Sequence, residues 1–316
     1  MIISASYKTD IPAFYGRWFR NRLRAGYCKM VNPFNAHQVF EVSLRPEDVD
    51  GIVFWTKNPG PFLDGLADVH ERGIPFIVQY TINGYPRVLE SRVVPADKSI
   101  EHFRRIADTY GRLVPVWRYD TIVFSSETPP DFHRRNFERL ASALEGATDE
   151  VVVSFAQIYK KTQRNMNEAA KEHGFTWSDP PASEKLALVR ELAAMARARG
   201  IQLKVCSQKA YVVEGVQEAR CVDAQRIMEV AGRLVASKLK GNRKECGCFY
   251  SKDIGDYDTC PHGCVYCYAV TSTAVAARRF REHDPEGEFL YPRVGAPPPE
   301  TPSEPDQVPL FGRVKR

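Results

Sequence analysis

Short β-branched apolar runs alternate with segments of helical periodicity along most of this chain. IISASY at 2–7, IVFWTK at 52–57, FIVQYT at 76–81, VPVWRY at 114–119, VVVSFAQIY at 151–159 and IQLKVCS at 201–207 read as strands. Between and after them, apolar residues recur at three- and four-residue spacing, which predicts helices over 12–27, 60–72, 99–112, 130–144, 182–199 and 223–239. Apolar strands separated by helices of this length build parallel βαβ units. A succession of such units predicts an α/β fold, a full or partial TIM-like (β/α) barrel over 1–240.

A barrel of this kind carries its active site on the loops that follow its strands. Polar clusters stand at those places: Lys8, Thr9 and Asp10; Thr56, Lys57 and Asn58; Thr81 and Asn83; Arg118 and Asp120. Each cluster alone also fits a helix cap or a turn. Four in register, two of them with a cation behind an apolar strand, predict a polar pocket at one rim.

The composition adds bounds. Hydrophobic residues make up 43% and aromatic residues 11%, enough for a substantial core. The net charge of +5 comes from 44 basic and 39 acidic residues spread along the chain, which permits a nucleic-acid partner without requiring one. No apolar run approaches the roughly 18 residues a membrane span needs, and MIISASYKTD lacks the layout of a signal peptide, so a soluble, cytoplasmic protein with no membrane partner is expected. From about Ala296 the sequence turns to Pro, Glu, Thr and Ser, and 286–316 is expected to be a disordered tail.

Eight cysteines in a chain without an export signal should be thiols or metal ligands. Five crowd into a Cys-rich segment, 241–285, where Cys260, Cys264 and Cys267 have the spacing C-x3-C-x2-C ahead of a helix expected at 270–282. Three thiolates on one loop can hold three irons of a 4Fe-4S cluster and leave the fourth iron open to a small ligand. Zinc competes for such loops, but it usually takes two C-x2-C pairs, and one is present. Cys206, Cys221, Cys246 and Cys248 form a second candidate set, for another cluster or for zinc, with buried structural thiols as the alternative. Cys28 is expected in the core on an amphipathic helix and His133 on a helix surface; His262, within the cluster loop, either tunes the cluster or shapes the turn.

The string CPHGCVYCYA resembles the cluster loop of the radical S-adenosylmethionine superfamily, especially its spore photoproduct lyase-like branch. The resemblance implies that S-adenosylmethionine chelates the open iron and is cleaved by one electron, from a reductant such as flavodoxin or ferredoxin, to methionine and a 5′-deoxyadenosyl radical. It implies that Tyr266 flanks the adenine, and that Thr56, Asn58, Thr81 and Asn83 replace a GGE-like segment absent here. Lys57, Arg118 and Asp120 would line the substrate side. The cysteine loop departs from the superfamily by coming last, as in a circularly permuted barrel. Over residues 1 to about 282 the chain also resembles the domain of unknown function 1848 family, through ISASYKTDIPAFY, VNPFN, FWTKNP, QYTINGY, VWRYD, CVD and SKDIGDYDTCPHGCVYCYA.

Near the end, Gln307, Leu310 and Phe311 match a Q-x-x-L-F pattern that docks bacterial proteins on the sliding clamp. With the repair-enzyme resemblance, this points to DNA and to a base or lesion as substrate. Two other readings stand beside this one: an enzyme that uses the open iron as a Lewis acid or transfers another group of S-adenosylmethionine, and a metal-containing nucleic-acid-binding protein without turnover.

Overall fold

A computed structural model of the 316-residue chain describes residues 1–32, 35–241 and 245–291. The clamp-like Gln307, Leu310 and Phe311 lie outside the described residues, as does the tail beyond 291. Strand β1 (Ile2–Ala5) leads into helices α1 (Ile11–Phe14) and α2 (Gly16–Ala25) and a hairpin of β2 (Tyr27–Asn32) and β3 (Asn35–Ser43). Then come β4 (Gly51–Thr56), α3 (Leu63–Glu71), β5 (Phe76–Thr81), α4 (Ala96–Tyr110), β6 (Pro115–Ile122), β7 (Phe124–Ser125), α5 (Pro130–Leu144) and β8 (Glu150–Phe155). The chain continues through α6 (Lys160–His173), β9 (Trp177–Ser178), α7 (Ala182–Ala198), β10 (Gln202–Val205), β11 (Gln217–Glu218), α8 (Ala224–Ala231), β12 (Lys252–Asp253) and α9 (Thr273–Arg281).

Eight strands form one sheet in the order β11-β10-β8-β6-β5-β4-β1-β12, with every neighbouring pair parallel. The fold is therefore mixed α/β, a large parallel sheet flanked by helices. Among the described residues no ladder joins the two-residue edge strands β11 and β12, so the sheet is open rather than a closed barrel. No described helix is long and apolar enough to cross a membrane.

Strand alternation explains the two faces. Ile3, Ile52, Phe54, Phe76, Val78, Trp117, Val151 and Val153 point to one side and share a core with residues of α2, α3, α4, α5 and α7. Ile2, Val53, Ile77, Val116 and Val152 point to the other, where Val222, Ala224, Ile227 and Val235 cover them. Gly51 is needed for that cover, since a Cβ there would lie 2.6 Å from Ile227 Cγ2. Two residues further along β4, β5 and β6, the second face carries Trp55, Gln79 and Arg118, so it turns polar towards the strands' C-terminal ends.

The expected strand at 76–81 and helix at 130–144 coincide with β5 and α5. The helix expected over 12–27 divides at Tyr15, and Cys28 is buried as expected but on β2 rather than on a helix. The helix expected over 223–239 stops at Ala231, because Gly232 takes φ of +63° and ends it. Helix α6 was not expected; its mostly polar sequence shows only Thr162, Met166 and Ala169 as a buried stripe. Residues 286–291, assigned to the tail from composition, pack on the body: Glu288 O accepts from Lys29 N at 2.9 Å and Leu290 is buried.

His133 is a correction. It is fully buried, on the α5 face that carries Asn136, Phe137, Leu140, Ala141 and Leu144. Its Nδ1 meets Tyr119 OH at 2.9 Å and its Nε2 meets Val123 O at 3.0 Å. Burial pushes its pKa down from 6.5 to about 4. The unfolded chain thus binds a proton below pH 6.5 that the folded one refuses until about pH 4, so stability is full above 6.5 and declines as the pH falls between these values. The decline from this group is about 3 kcal/mol. Urea midpoints measured from pH 7 to 4 should fall less steeply in His133→Gln than in the unaltered protein; equal slopes would contradict the assignment.

Candidate metal centre

Strand β12 lies beside β1, with Ile3 opposite Lys252 and Ser4 opposite Asp253, and the chain leaves its end as the cysteine loop. The Asp253 carboxylate fixes this edge. It accepts from Ser4 Oγ and Ser6 Oγ, each at 2.7 Å, from Tyr7 N at 3.0 Å and from Gly255 N at 3.1 Å. Gly255 permits the close approach, since a Cβ there would sit 2.1 Å from Ser6 Oγ. The loop is thereby held over the C-terminal ends of β1, β4 and β5.

Asp10 pins the loop's first half. Its carboxylate accepts from Ala13 N at 2.9 Å, capping α1, from Lys57 N at 2.7 Å, and it meets His262 Nε2 at 2.7 Å. The His262 ring packs edge-on to Phe14 with centroids 4.6 Å apart. The second half pairs with the loop after β5: Val265 N donates to Leu89 O at 3.1 Å, Arg92 N donates to His262 O at 3.0 Å, and Glu90 bridges to Cys264.

Cys260, Cys264 and Cys267 lie on one loop. Their residues keep partial exposure while their thiols are enclosed by protein, and burial raises all three pKa values. Cys264 feels the charges of Cys267 and Cys260. Among the described residues no hydrogen bond joins any two of them, and no group of three His, Cys, Asp or Glu side chains stands ready to hold an ion.

The surroundings suit negative charge on sulfur. Backbone N–H groups of His262 and Asp10 point at Cys260, and those of Ala269 and Val270 at Cys267, the Ala269 contact being 3.3 Å. Lys57 supplies positive charge beside Cys264. His262 Nδ1 and Thr9 Oγ1 are buried without a partner at this place. Thiolates, N–H donors and a nearby cation are what an iron-sulfur cluster requires of its pocket, and these residues fit one.

Next to Cys264 is a buried polar network. Lys57 Nζ reaches Glu90 Oε1 at 2.7 Å and Tyr266 OH at 3.2 Å; Asn83 Nδ2 reaches the same two atoms, each at 3.1 Å; and Tyr266 OH donates to Glu90. Burial works against both charges, but Glu90 holds the Lys57 ammonium above its ordinary pKa, and Lys57 holds Glu90 below its own. Sequence reasoning placed Lys57, Asn83 and Tyr266 here and missed Glu90, whose only signal is an acidic residue behind Val88 and Leu89 in a loop. Asn83, Glu90 and Thr81 line a cavity of about 250 Å³.

Other expected site residues are placed differently. Thr56 Oγ1 accepts from Asn58 N at 2.9 Å and Asn58 Oδ1 from Gly60 N at 3.1 Å, so these two shape the turn after β4. Arg118 lies deeper, paired with Asp120 and donating to Gln79 Oε1 at 3.0 Å and Cys221 Sγ at 2.9 Å. Asp120 also accepts from Ser154 Oγ, and its N–H donates to Asn83 Oδ1 at 3.0 Å.

Cys206, Cys221, Cys248 and Cys246 come together beneath Arg118. Cys206 and Cys221 have sulfurs 3.3 Å apart, Cys221 neighbours Cys248, and Cys248 neighbours Cys246.

Removing one member of a buried ion pair strands its partner, at a cost of about 3–5 kcal/mol. Lys57→Met should therefore lower stability by that order in urea unfolding, and Lys57→Met with Glu90→Gln by clearly less. Additive losses would show that the two are not paired.

The model of a family described as a domain of unknown function (DUF1848) matches residues 2–269. No curated protein matches. Among solved structures, a D-hydantoinase from a Bacillus sp. AR9 is similar at 15% identity and TM-score 0.30, a second D-hydantoinase at 12% and 0.29, and a dihydropyrimidinase from Brevibacillus agri NCHU1002 at 16% and 0.28. Each match covers 60% of this chain and 38% of the other, and scores of this size carry no argument about fold or activity. The family model spans most of the chain, from β1 through the cysteine loop, and the chain belongs to that family, the domain of unknown function DUF1848.

Proposed function

We propose that this protein is an iron-sulfur enzyme of the radical S-adenosylmethionine type, with a 4Fe-4S cluster on Cys260, Cys264 and Cys267 and a nucleic-acid base or lesion as substrate. The observation that carries the reading is the convergence of three enclosed thiols, backbone N–H donors and the Lys57–Glu90–Tyr266–Asn83 network at one end of a parallel sheet. The parallel pairing of β12 with β1 supports reading β12, the cysteine loop and α9 as the first βα unit of a circularly permuted, incompletely closed barrel.

When bound, the cluster supplies an electron for reductive cleavage of S-adenosylmethionine at its open iron. The chain's own groups do the positioning. Glu90, held as a carboxylate by Lys57, gives a fixed negative group beside the pocket, and Asn83 and the Tyr266 hydroxyl orient it. Asp10 keeps the loop in place through His262, and Lys57 offsets charge at Cys264. In this reading Arg118 and Asp120, paired with each other, face the substrate. The base or lesion substrate, the flavodoxin- or ferredoxin-like donor and docking on the sliding clamp rest on the sequence resemblances.

Anaerobic reconstitution with iron and sulfide should load about four irons on this site. With dithionite and S-adenosylmethionine, the loaded protein should release 5′-deoxyadenosine, read by mass spectrometry. Changing any of the three cysteines to Ala should abolish both the cluster and the product. A loaded cluster that yields no 5′-deoxyadenosine rejects the radical mechanism, and transfer of another part of S-adenosylmethionine would favour the non-radical alternative.

A further inference from the structure

The second set of thiols is assembled from three distant stretches of chain. Cys206 follows β10, Cys221 lies in the loop before α8, and Cys246 and Cys248 precede β12. Backbone hydrogen bonds hold these stretches together without help from the sulfurs: Ala219 N donates to Val205 O at 2.9 Å, Phe249 N to Val222 O at 3.0 Å, and Lys240 N to Cys248 O at 2.9 Å. The sulfurs run as a chain, with 3.3 Å between Cys206 and Cys221 and hydrogen-bonding contacts from Cys221 to Cys248 and from Cys248 to Cys246.

We infer that Cys206, Cys221, Cys246 and Cys248 form a four-thiolate site for one tetrahedral zinc ion, distinct from the Cys260 centre and independent of the activity proposed for it. The closeness of Cys206 and Cys221 favours a single ion over a second cluster. Zinc–sulfur bonds of about 2.3 Å put the ligands of a tetrahedron about 3.8 Å apart, whereas cubane ligands sit on separate irons and spread wider. The 3.3 Å contact is of the tetrahedral order. Among the described residues no three of these side chains are already disposed about one point, so binding must draw the chain of sulfurs in around a common centre.

The surroundings complete the argument. Four thiolates around a divalent ion leave an excess of two negative charges. Arg118 Nη1 donates to Cys221 Sγ at 2.9 Å and Val222 N to Cys248 Sγ at 3.4 Å, both suited to offset that excess. Ser207 Oγ lies 3.6 Å from Cys206 Sγ, and Val222, Ala219, Val235 and Phe249 pack round the site. Zinc has no redox chemistry of its own, so the site serves as a staple. It ties the end of β10 and the loop before α8 to the segment that leads into β12 and the cysteine loop.

Metal analysis of the full chain, purified anaerobically, should find about one zinc per molecule. Cys246→Ser with Cys248→Ser should lower zinc at least about tenfold, and the Cys260, Cys264 and Cys267 triple Ala variant should keep it. Protein from cells grown with cobalt in place of zinc should show the thiolate charge-transfer and visible bands of tetrahedral cobalt, a test that needs no substitution. A zinc-free chain with iron beyond one cluster's worth, a zinc-free chain with a Cys206–Cys221 disulfide, or zinc lost with the Cys260 triad instead, would each overturn the inference. None of these results depends on whether the loaded protein cleaves S-adenosylmethionine.

Discussion

The Asp10 carboxylate accepts from the first turn of α1, from the backbone after β4 and from the imidazole of His262, three segments that are far apart along the chain. A buried carboxylate is tolerated only where donors surround it, so its position fixes theirs. Because those donors belong to β1's exit, β4's exit and the cysteine loop, one side chain sets the loop's height above the sheet. Asp253 does the same for the loop's entry by collecting Ser4, Ser6, Tyr7 and Gly255. The position of the cysteine loop depends on these two anchors.

The face of the sheet beneath the loop is graded. Ile2, Val53, Ile77, Val116 and Val152 form an apolar floor sealed by Ile227. Above it Trp55 Nε1 donates to Ser4 Oγ at 3.0 Å, and Gln79 joins Arg118 to the carbonyl of Cys221. Above that lie Lys57, Glu90, Asn83 and Tyr266. Charge is admitted in pairs, Arg118 with Asp120 and Lys57 with Glu90, and each pair has further hydrogen bonds to satisfy what the partner leaves open. Paired burial of this kind adds little net stability but makes a fixed electrostatic environment, which a site that excludes water needs.

How much could be read in advance follows from the range of each interaction. The strand at 76–81 and the helix at 130–144 were legible because their patterns are local and unbroken. The β2–β3 hairpin was not, since its residues lack clean alternation and it follows directly on α2. Cys260, Cys264 and Cys267 announce themselves by spacing alone. Glu90 does not, because its place beside Cys264 comes from a bridge between residues 174 positions apart. His133 looked like a surface residue until α5 was seen to turn it towards Tyr119 and Val123.

The two sulfur sets share one residue type and differ in how they are gathered. Three cysteines sit on a single loop of eight residues, 260–267, and among the described residues no hydrogen bond joins their thiols. Four cysteines are brought in by separate segments, and packing presses them together beneath Arg118. Arg118 touches Cys221 on one side and Asp120 on the other, and Asp120 touches Asn83 of the Glu90 network. A continuous line of hydrogen-bonded groups thus runs from the compact sulfur set to the Glu90 network beside Cys264. Anything that fixes the compact set also fixes Arg118, and through Asp120 the Asn83 end of the Glu90 network.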